Sequence, residues 1–273
     1  MVRLSDEQYR SFTKFLEESS GIVLGDNRQY LVASRLNPHV QARGYSSLGE
    51  LIDALCSGRD ASLRAQVIEA MTTNETQFFR DGYPFEILKH VLFPEYQRNH
   101  GGRLRLWSAG CSSGQEAYSV LMTAQEYNDA GGRIEVEVLG TDISRNMIEQ
   151  ARTGRYHASS IRRGLSAERL KRFFTQIDAE TWEVRPEIRR RASFRQHNLQ
   201  DSFLLLGKFD VIFCRNVLIY FSQETRRDIL TRMAEILNPG GYLMLGGSES
   251  IGRQVDCYKL VRTPHGTIYQ LQS

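Results

Sequence analysis

A chain of 273 residues that is 41% hydrophobic and 25% charged can bury one large core or two smaller ones, and its composition excludes a disordered or fibrous protein. The formal net charge of +3 is too small to argue for nucleic acid by itself, while Cys56, Cys111, Cys214 and Cys257 stand apart with no C-x-x-C pair and the six histidines are scattered. That pattern suggests neither a metal centre nor a disulfide framework, and a reducing, cytoplasmic setting is expected. The first residues, MVRLSDEQYR, lack the apolar core of a signal peptide, and Lys208, Arg215 and Asn216 interrupt the longest apolar runs, so no membrane span is expected.

Residues 1–70 read as a helical domain. Ser5 with Gln8 forms a capping-box pattern ahead of Tyr9, Phe12 and Leu16 on one face, and Gly21 is the stop signal. Ser47 with Glu50 starts another helix. Between them, residues 27–49 carry Arg28, Arg35 and Arg43 and no acid, on a mostly helical segment where Asn37 and Pro38 predict a kink. About two helical turns separate successive arginines, which puts them on roughly one face. The face is either a solvated stripe or a docking surface for an acidic partner helix. Residues 71–99, beginning with TNETQFFRD over 73–81, read as a linker and a motif-bearing helix.

From residue 100 to 273 strand and helix patterns alternate, which predicts a parallel sheet covered on both faces. The strands fall at 104–107, 134–140, 193–197, 209–214 and 242–246, and the helices at about 114–128, 144–152 and 222–237. Residues 258–261 and 267–271, around Pro264, His265 and Gly266, read as an antiparallel hairpin. Residues 157–191 form a small inserted subdomain, with helical pattern over 167–174 and a short hairpin through 181–184. The stretch 150–195 holds twelve Arg or Lys against five acids, either a solvated face or a binding surface.

The first strand runs LRLWSAGCSSG over 104–114: an apolar run that stops at small residues whose backbone N–H groups can approach a ligand at the start of the next helix. The second, VEVLGTD over 136–142, ends in Asp142, placed to accept from ribose hydroxyls. The loop is neither G-x-G-x-x-G nor a phosphate-binding loop, since Gln115 and Glu116, with no Lys, follow Gly114. Glu116 in the first helical turn would repel a phosphate and suit a cation. S-adenosylmethionine, a nucleoside with an ammonium and a sulfonium but no phosphate, fits these features.

TNETQFFRD, GCSSGQE, LGTDIS, HNL, FCRNVLIYF and GGYLMLGGSES follow in this order, and together they closely resemble the chemotaxis receptor methyltransferase (CheR) family from about residue 5 to 271. The resemblance implies a Rossmann-like class I methyltransferase sheet with an N-terminal all-helical domain and a small inserted subdomain. It also implies an S-adenosylmethionine-dependent enzyme that converts glutamates on the cytoplasmic helical bundle of methyl-accepting chemotaxis receptors to methyl esters, releasing S-adenosylhomocysteine. Carried onto this chain, Asn74, Thr76, Arg80, Gly110, Glu116, Asp142, Asn198 and Leu199 would hold the cofactor. Arg80 would take the methionyl carboxylate through its guanidinium fork. Arg215 and Asn216 would stand beside the cofactor and the reacting methyl, with Tyr220 on the substrate side, and Arg28, Arg35 and Arg43 would face the receptor. No metal, nucleic acid or membrane insertion is implied.

A glutamate with a pKa near ~4.3 is already ionised at neutral pH, so the transfer needs no general base and no catalytic dyad is expected. The work is alignment and water exclusion, which supply roughly 7–11 kcal/mol in favourable systems. Some family members capture a receptor's C-terminal pentapeptide at a glycine-rich turn in the inserted subdomain. Here FFTQIDAETWEVRPEI, over 173–188, has no glycine, and tether-independent engagement is expected. Two other classes stay open at this point: methylation of another substrate such as RNA, for which the basic stretch offers Tyr156, Phe173, Phe174, Trp182 and Phe194, and a non-catalytic module that senses the cofactor.

Overall fold

The computed structural model describes residues 4–252 and 255–272, and the chain divides into two units. The first runs to Thr73 and takes in Tyr220–Arg226. Its capping box is formed as expected: Ser5 Oγ accepts from Gln8 N at 3.1 Å and opens α1 (Asp6–Ser20), which Gly21 ends in the left-handed region. Pro38 sits inside α2 (Gln29–Ala42), which continues past it, so the segment 27–49 is one helix, a turn and the start of α3 (Leu48–Cys56). Ser47 caps α3, but the Glu50 carboxylate turns to Ser46, accepting from its N at 2.7 Å and its Oγ at 2.6 Å. Asp60 caps α4 (Ala61–Met71). Phe12, Leu16, Val32, Leu36, Leu51, Ile52, Leu63 and Val67 are fully buried and form this unit's core.

The second unit comprises Asn74–Ile219 and the segment from Arg227. Residues 74–82 are irregular, and the helix expected in the linker begins only with α5 (Tyr83–Ile87), whose first turn carries Pro84. A π-helical segment, Leu88–Leu92, joins it to α6 (Phe93–Asn99). Then follow β1 (Arg103–Ala109), α7 (Gln115–Asp129), β2 (Glu135–Asp142) and α8 (Arg145–Thr153). The inserted stretch holds β3 (Arg155–His157), α9 (Ala158–Ile161), α10 (Ala167–Phe173), β4 (Phe174–Gln176), β5 (Thr181–Val184) and α11 (Pro186–Arg189). After it come β6 (Ala192–Gln196), β7 (Phe209–Cys214), α12 (Gln223–Ile236, which begins in the first unit), β8 (Leu237–Leu245), β9 (Tyr258–Thr263) and β10 (Gly266–Leu271).

The seven-stranded sheet has the order β6-β2-β1-β7-β8-β10-β9, with β6 through β8 parallel and β10 antiparallel to both neighbours. This is the expected class I methyltransferase sheet, and β3, β5 and β4 form the separate antiparallel sheet of the insertion. The register of β1 explains its apolar run: Leu106, Trp107 and Ser108 each pair on both sides, and all are fully buried. β8 starts five residues before the expected Tyr242, because Asn238, Pro239, Gly240 and Gly241 read as a turn. They are instead absorbed by a register irregularity opposite Phe209 and Val211.

The basic stretch is largely committed to internal contacts. Arg152 donates to the Phe194 carbonyl, Arg191 to that of Val136 and Arg185 to those of Phe174 and Lys171, while Arg172 pairs with Asp129 and Arg189 with Glu183. Among the described residues no helix is long and apolar enough to cross a membrane.

Candidate functional site at the carboxyl ends of the parallel strands

The loop after β1 is tied to the end of β2. The N–H groups of Gly110 and Cys111 both donate to the Thr141 carbonyl, at 2.8 and 2.9 Å, and Ser112 N donates to Asp142 Oδ2 at 2.8 Å. The other Asp142 oxygen accepts from Ser144 N, in the residue that caps α8. Asp142, almost fully buried, thus fixes two loops as well as ending its strand. A side chain at Gly110 would be strained: its φ is 71°, and a Cβ would lie 2.5 Å from Val217 Cγ2 in the loop after β7, which would have to shift. Asn198 Oδ1 accepts from Gln200 N, and the carbonyl of buried Leu199 accepts from Arg232.

Arg215, directly after β7, is the centre of the charge. Its side chain is 1% exposed. Nη1 donates to Glu116 Oε2 at 2.9 Å, and Nη2 donates to Asp81 Oδ2 at 2.7 Å and to the Arg80 carbonyl at 2.9 Å. Ser108 Oγ donates to the other Glu116 oxygen at 2.7 Å. Burial alone would weaken the charge on Arg215, but Glu116, then Tyr83 and Asp81, outweigh it and hold the guanidinium above its ordinary pKa. Three buried side-chain atoms nevertheless lack a partner among the described residues: Arg215 Nε, Asn216 Oδ1 and His197 Nε2. Buried polar groups are normally satisfied, so an orphan donor and an orphan acceptor on consecutive residues mark a place where the fold alone does not complete the hydrogen bonding.

The 74–82 segment carries strain. Phe79 and Asp81 have φ 50° and 67°, a region costly for residues with a Cβ, and Arg80 lies between them. The turn is held from several sides: Phe79 N donates to Ser119 Oγ at 3.0 Å, Ser112 Oγ donates to the Asn74 carbonyl at 2.9 Å, and the Arg169 guanidinium lies 3.7 Å from the Phe79 ring centroid. Arg169 is itself fixed by a bidentate pair with Glu126, at 2.7 and 3.0 Å. Arg80 makes one long bond, 3.3 Å, to the Glu75 carbonyl.

Burial pushes the thiols of Cys111 and Cys214 well up, so neither is a thiolate nucleophile at neutral pH. Burial also lowers His197, which keeps its imidazole neutral. Among the described residues no group of three His, Cys, Asp or Glu side chains could hold a metal ion.

The structure therefore gathers Arg80, Gly110, Glu116, Asp142, Arg215 and Asn216 around neighbouring strand ends, with the Asn74 carbonyl accepting from Ser112 Oγ in the loop after β1. Thr76 lies in the strained segment. Tyr220 belongs to the other unit, where its carbonyl accepts from Val23 N at 2.9 Å. Arg35 and Arg43 are engaged within the helical unit, Arg35 with the Met71 and Thr72 carbonyls at 2.6 and 3.0 Å and Arg43 with Asp60, Ser62 and Gln66, while Arg28 reaches only to the Tyr30 hydroxyl. The sequence does not single out Asp81, Ser108 or Ser112: Asp81 ends the 73–81 segment and the two serines lie at and just beyond the end of β1, and only the fold brings them to Arg215, Glu116 and the Asn74 carbonyl.

The donor set fits S-adenosylmethionine. Two carboxylates against one guanidinium favour a cationic ligand, Asn216 Oδ1 needs a donor such as an ammonium, Arg215 Nε needs an acceptor, and the glycine loop offers no basic side chain for a phosphate.

Residues 74–267 match the family of the CheR methyltransferase SAM binding domain, and residues 7–72 that of the CheR methyltransferase all-alpha domain. The chain is 49% identical to Chemotaxis protein methyltransferase Cher2 of Pseudomonas putida, over 96% of this chain and 97% of that protein. It is 48% identical to Chemotaxis protein methyltransferase 1 of Pseudomonas aeruginosa, over 97% and 98%, and 46% identical to the Chemotaxis protein methyltransferase of Vibrio parahaemolyticus, over 99% of each.

Proposed function

The chain belongs to the CheR methyltransferase family and is S-adenosylmethionine-dependent, and from that premise we propose that it forms methyl esters on glutamate side chains of methyl-accepting chemotaxis receptors in the cytoplasm. The single observation that carries this reading is Arg215, buried between Glu116 and Asp81 beside the unpartnered Asn216 Oδ1.

When bound, S-adenosylmethionine supplies an electrophilic methyl on a sulfonium. The site's own residues then have three tasks. Arg80 holds the methionyl carboxylate, with Asn74 and Thr76 in the same segment. Asp142, Asn198 and Leu199 hold the nucleoside, and Gly110 lets the backbone approach. Glu116 and Asp81 lower the net charge around Arg215. That offset matters because positive and negative charge annihilate in the reaction. A bare buried cation would bind the substrate carboxylate more tightly before reaction than in the transition state, and would slow the step. With both acids in place, Arg215 and Asn216 orient the reactants. No residue need remove a proton, since the glutamate is already ionised. Arg28, Arg35 and Arg43 are assigned to receptor contact, with Arg28 the least engaged in internal bonds.

The turn between β4 and β5 is built on Asp178, whose Oδ1 accepts from Glu180 N and Thr181 N, both at 2.8 Å, without a glycine. This supports engagement of receptors without a C-terminal tether. The test is transfer of labelled methyl to purified receptor cytoplasmic fragments. Base-labile label that disappears when the methylation-site glutamates become alanine is the expected result. Absence of label, or label indifferent to those glutamates, overturns the reading.

A further inference from the structure

Glu249, in the turn after β8, is none of the residues assigned above, yet its carboxylate joins the ends of two strands. Oε2 accepts from Asn216 N at 2.7 Å and from Gly246 N at 2.8 Å, and Oε1 accepts from Val217 N at 3.0 Å. Its own N–H donates to the Gly246 carbonyl at 2.9 Å, which closes the turn on itself. The surroundings leave no slack. A Cβ on Gly246 would lie 2.6 Å from Glu249 Oε2 and 3.0 Å from Asn216 N, so the two loops touch backbone to backbone. On the far side, Val217 packs where a Cβ of Gly110 would be.

Asn216 needs such a hold. It has φ 59°, a left-handed conformation that a non-glycine residue keeps only where its neighbours enforce it, and nothing partners its buried Oδ1 among the described residues. A carboxylate that accepts from the N–H groups of residues 216 and 217 together fixes that conformation through charge-assisted bonds.

We infer that Glu249 is a positioning residue for methyl transfer: it clamps Asn216 in its left-handed backbone conformation and so sets Arg215 and Asn216 toward the bound cofactor and the incoming carboxylate. The inference rests on the function proposed above.

The test is calorimetric binding of S-adenosylhomocysteine to the full chain, well below each variant's unfolding midpoint, alongside the methyl-transfer rate. Glu249→Gln keeps the shape but turns an amide NH2 toward backbone N–H groups. It is expected to weaken binding by about tenfold or more, as losing hydrogen bonds to a charged acceptor does. Glycine takes φ 59° unaided, so in an Asn216→Gly background the further loss from Glu249→Gln is expected to shrink below about threefold, a non-additivity that a double-mutant cycle reads directly. If Glu249→Gln does not fold, Glu249→Asp carries the same cycle, since it keeps the charge and shortens the reach by one methylene. Affinity and rate within about twofold of the parent despite a lowered unfolding midpoint, or losses that simply add, overturn the inference. A parent chain that binds no S-adenosylhomocysteine counts against the cofactor roles instead, and one that binds it without labelling receptor fragments counts against the substrate.

Discussion

Arg35 in the helical unit and Arg215 in the sheet unit both turn a guanidinium onto backbone carbonyls, yet they answer different needs. Arg35 bonds the Met71 carbonyl that ends α4, the Thr72 carbonyl just after it and the Thr73 hydroxyl, with no carboxylate in the set. It completes a helix end, which every helix requires. Arg215 is buried with two carboxylates and keeps an unpartnered Nε. Folding alone does not demand such an arrangement: a buried ion cluster is a poor source of stability, and well-packed apolar residues often replace one at no loss. The contrast separates arginines that finish the architecture from one that is held ready for a ligand.

Arg215→Met tests this contrast at its strongest point. Removing the cation leaves Glu116, whose side chain is 14% exposed, and Asp81 without their shared counter-ion. The expected cost is about 3–5 kcal/mol in denaturant unfolding, with methyl transfer down at least about a hundredfold. Arg215→Lys sharpens the result, because it keeps the charge but loses the fork that reaches both acids. Normal turnover in either variant would show that Arg215, like Arg35, only finishes the architecture. Arg169→Ala comes next. Its guanidinium covers Phe79 and pairs with Glu126, so its loss should cost about 2 kcal/mol and loosen the strained turn that carries Arg80. Weaker S-adenosylhomocysteine binding, beyond what the stability loss explains, is the outcome that links the inserted segment to the cofactor site. Arg35→Ala should cost only about 1 kcal/mol, as the loss of a cation at a helix C-terminus does, and leave cofactor affinity unchanged. A raised KM for receptor fragments with little change in unfolding is the outcome that the receptor contact proposed for Arg35 requires, and an unchanged KM would leave Arg35 as a helix-end contact alone.

The strand ends were legible in the sequence because their chemistry is local. Apolar runs that stop at Gly110 and at Asp142 announce themselves, and the capping box at Ser5 and Gln8 is a four-residue signal. Long-range contacts were not legible. Glu116 reads as an acid poised at a helix start, and only the fold brings Arg215 onto it from 99 positions away. Asp81 and Glu249 were invisible for the same reason, since their partners come from other strand ends. The arginine stripe was legible only as spacing: helical spacing puts Arg28, Arg35 and Arg43 on roughly one face, but it does not register that Met71 and Asp60 fold back to meet two of them. Pro38 removes a helical hydrogen bond, but it does not end α2, which runs through it to Ala42.

The smallest expected effect concerns the inserted sheet. The family resemblance places tether capture at a glycine-rich turn of the inserted subdomain, where glycine leaves room for a peptide backbone. In this chain the β4 to β5 turn is closed by the Asp178 carboxylate, and hydrogen bonds from Glu180 N and then from the Thr181 side chain and N–H hold that carboxyl below its usual pKa. The sign of that shift means that the turn is held above the ordinary aspartate range and loosens only as pH falls through the lowered value, so it stays closed at neutral pH. Removing a receptor's last five residues should therefore change the methylation rate by less than about twofold, and a pentapeptide of that sequence should give no calorimetric signal near the micromolar range. Micromolar binding would show that a turn closed by aspartate can seat a tether as a glycine-rich one does. Binding that appeared only in Asp178→Gly would show the reverse, that this one side chain excludes it.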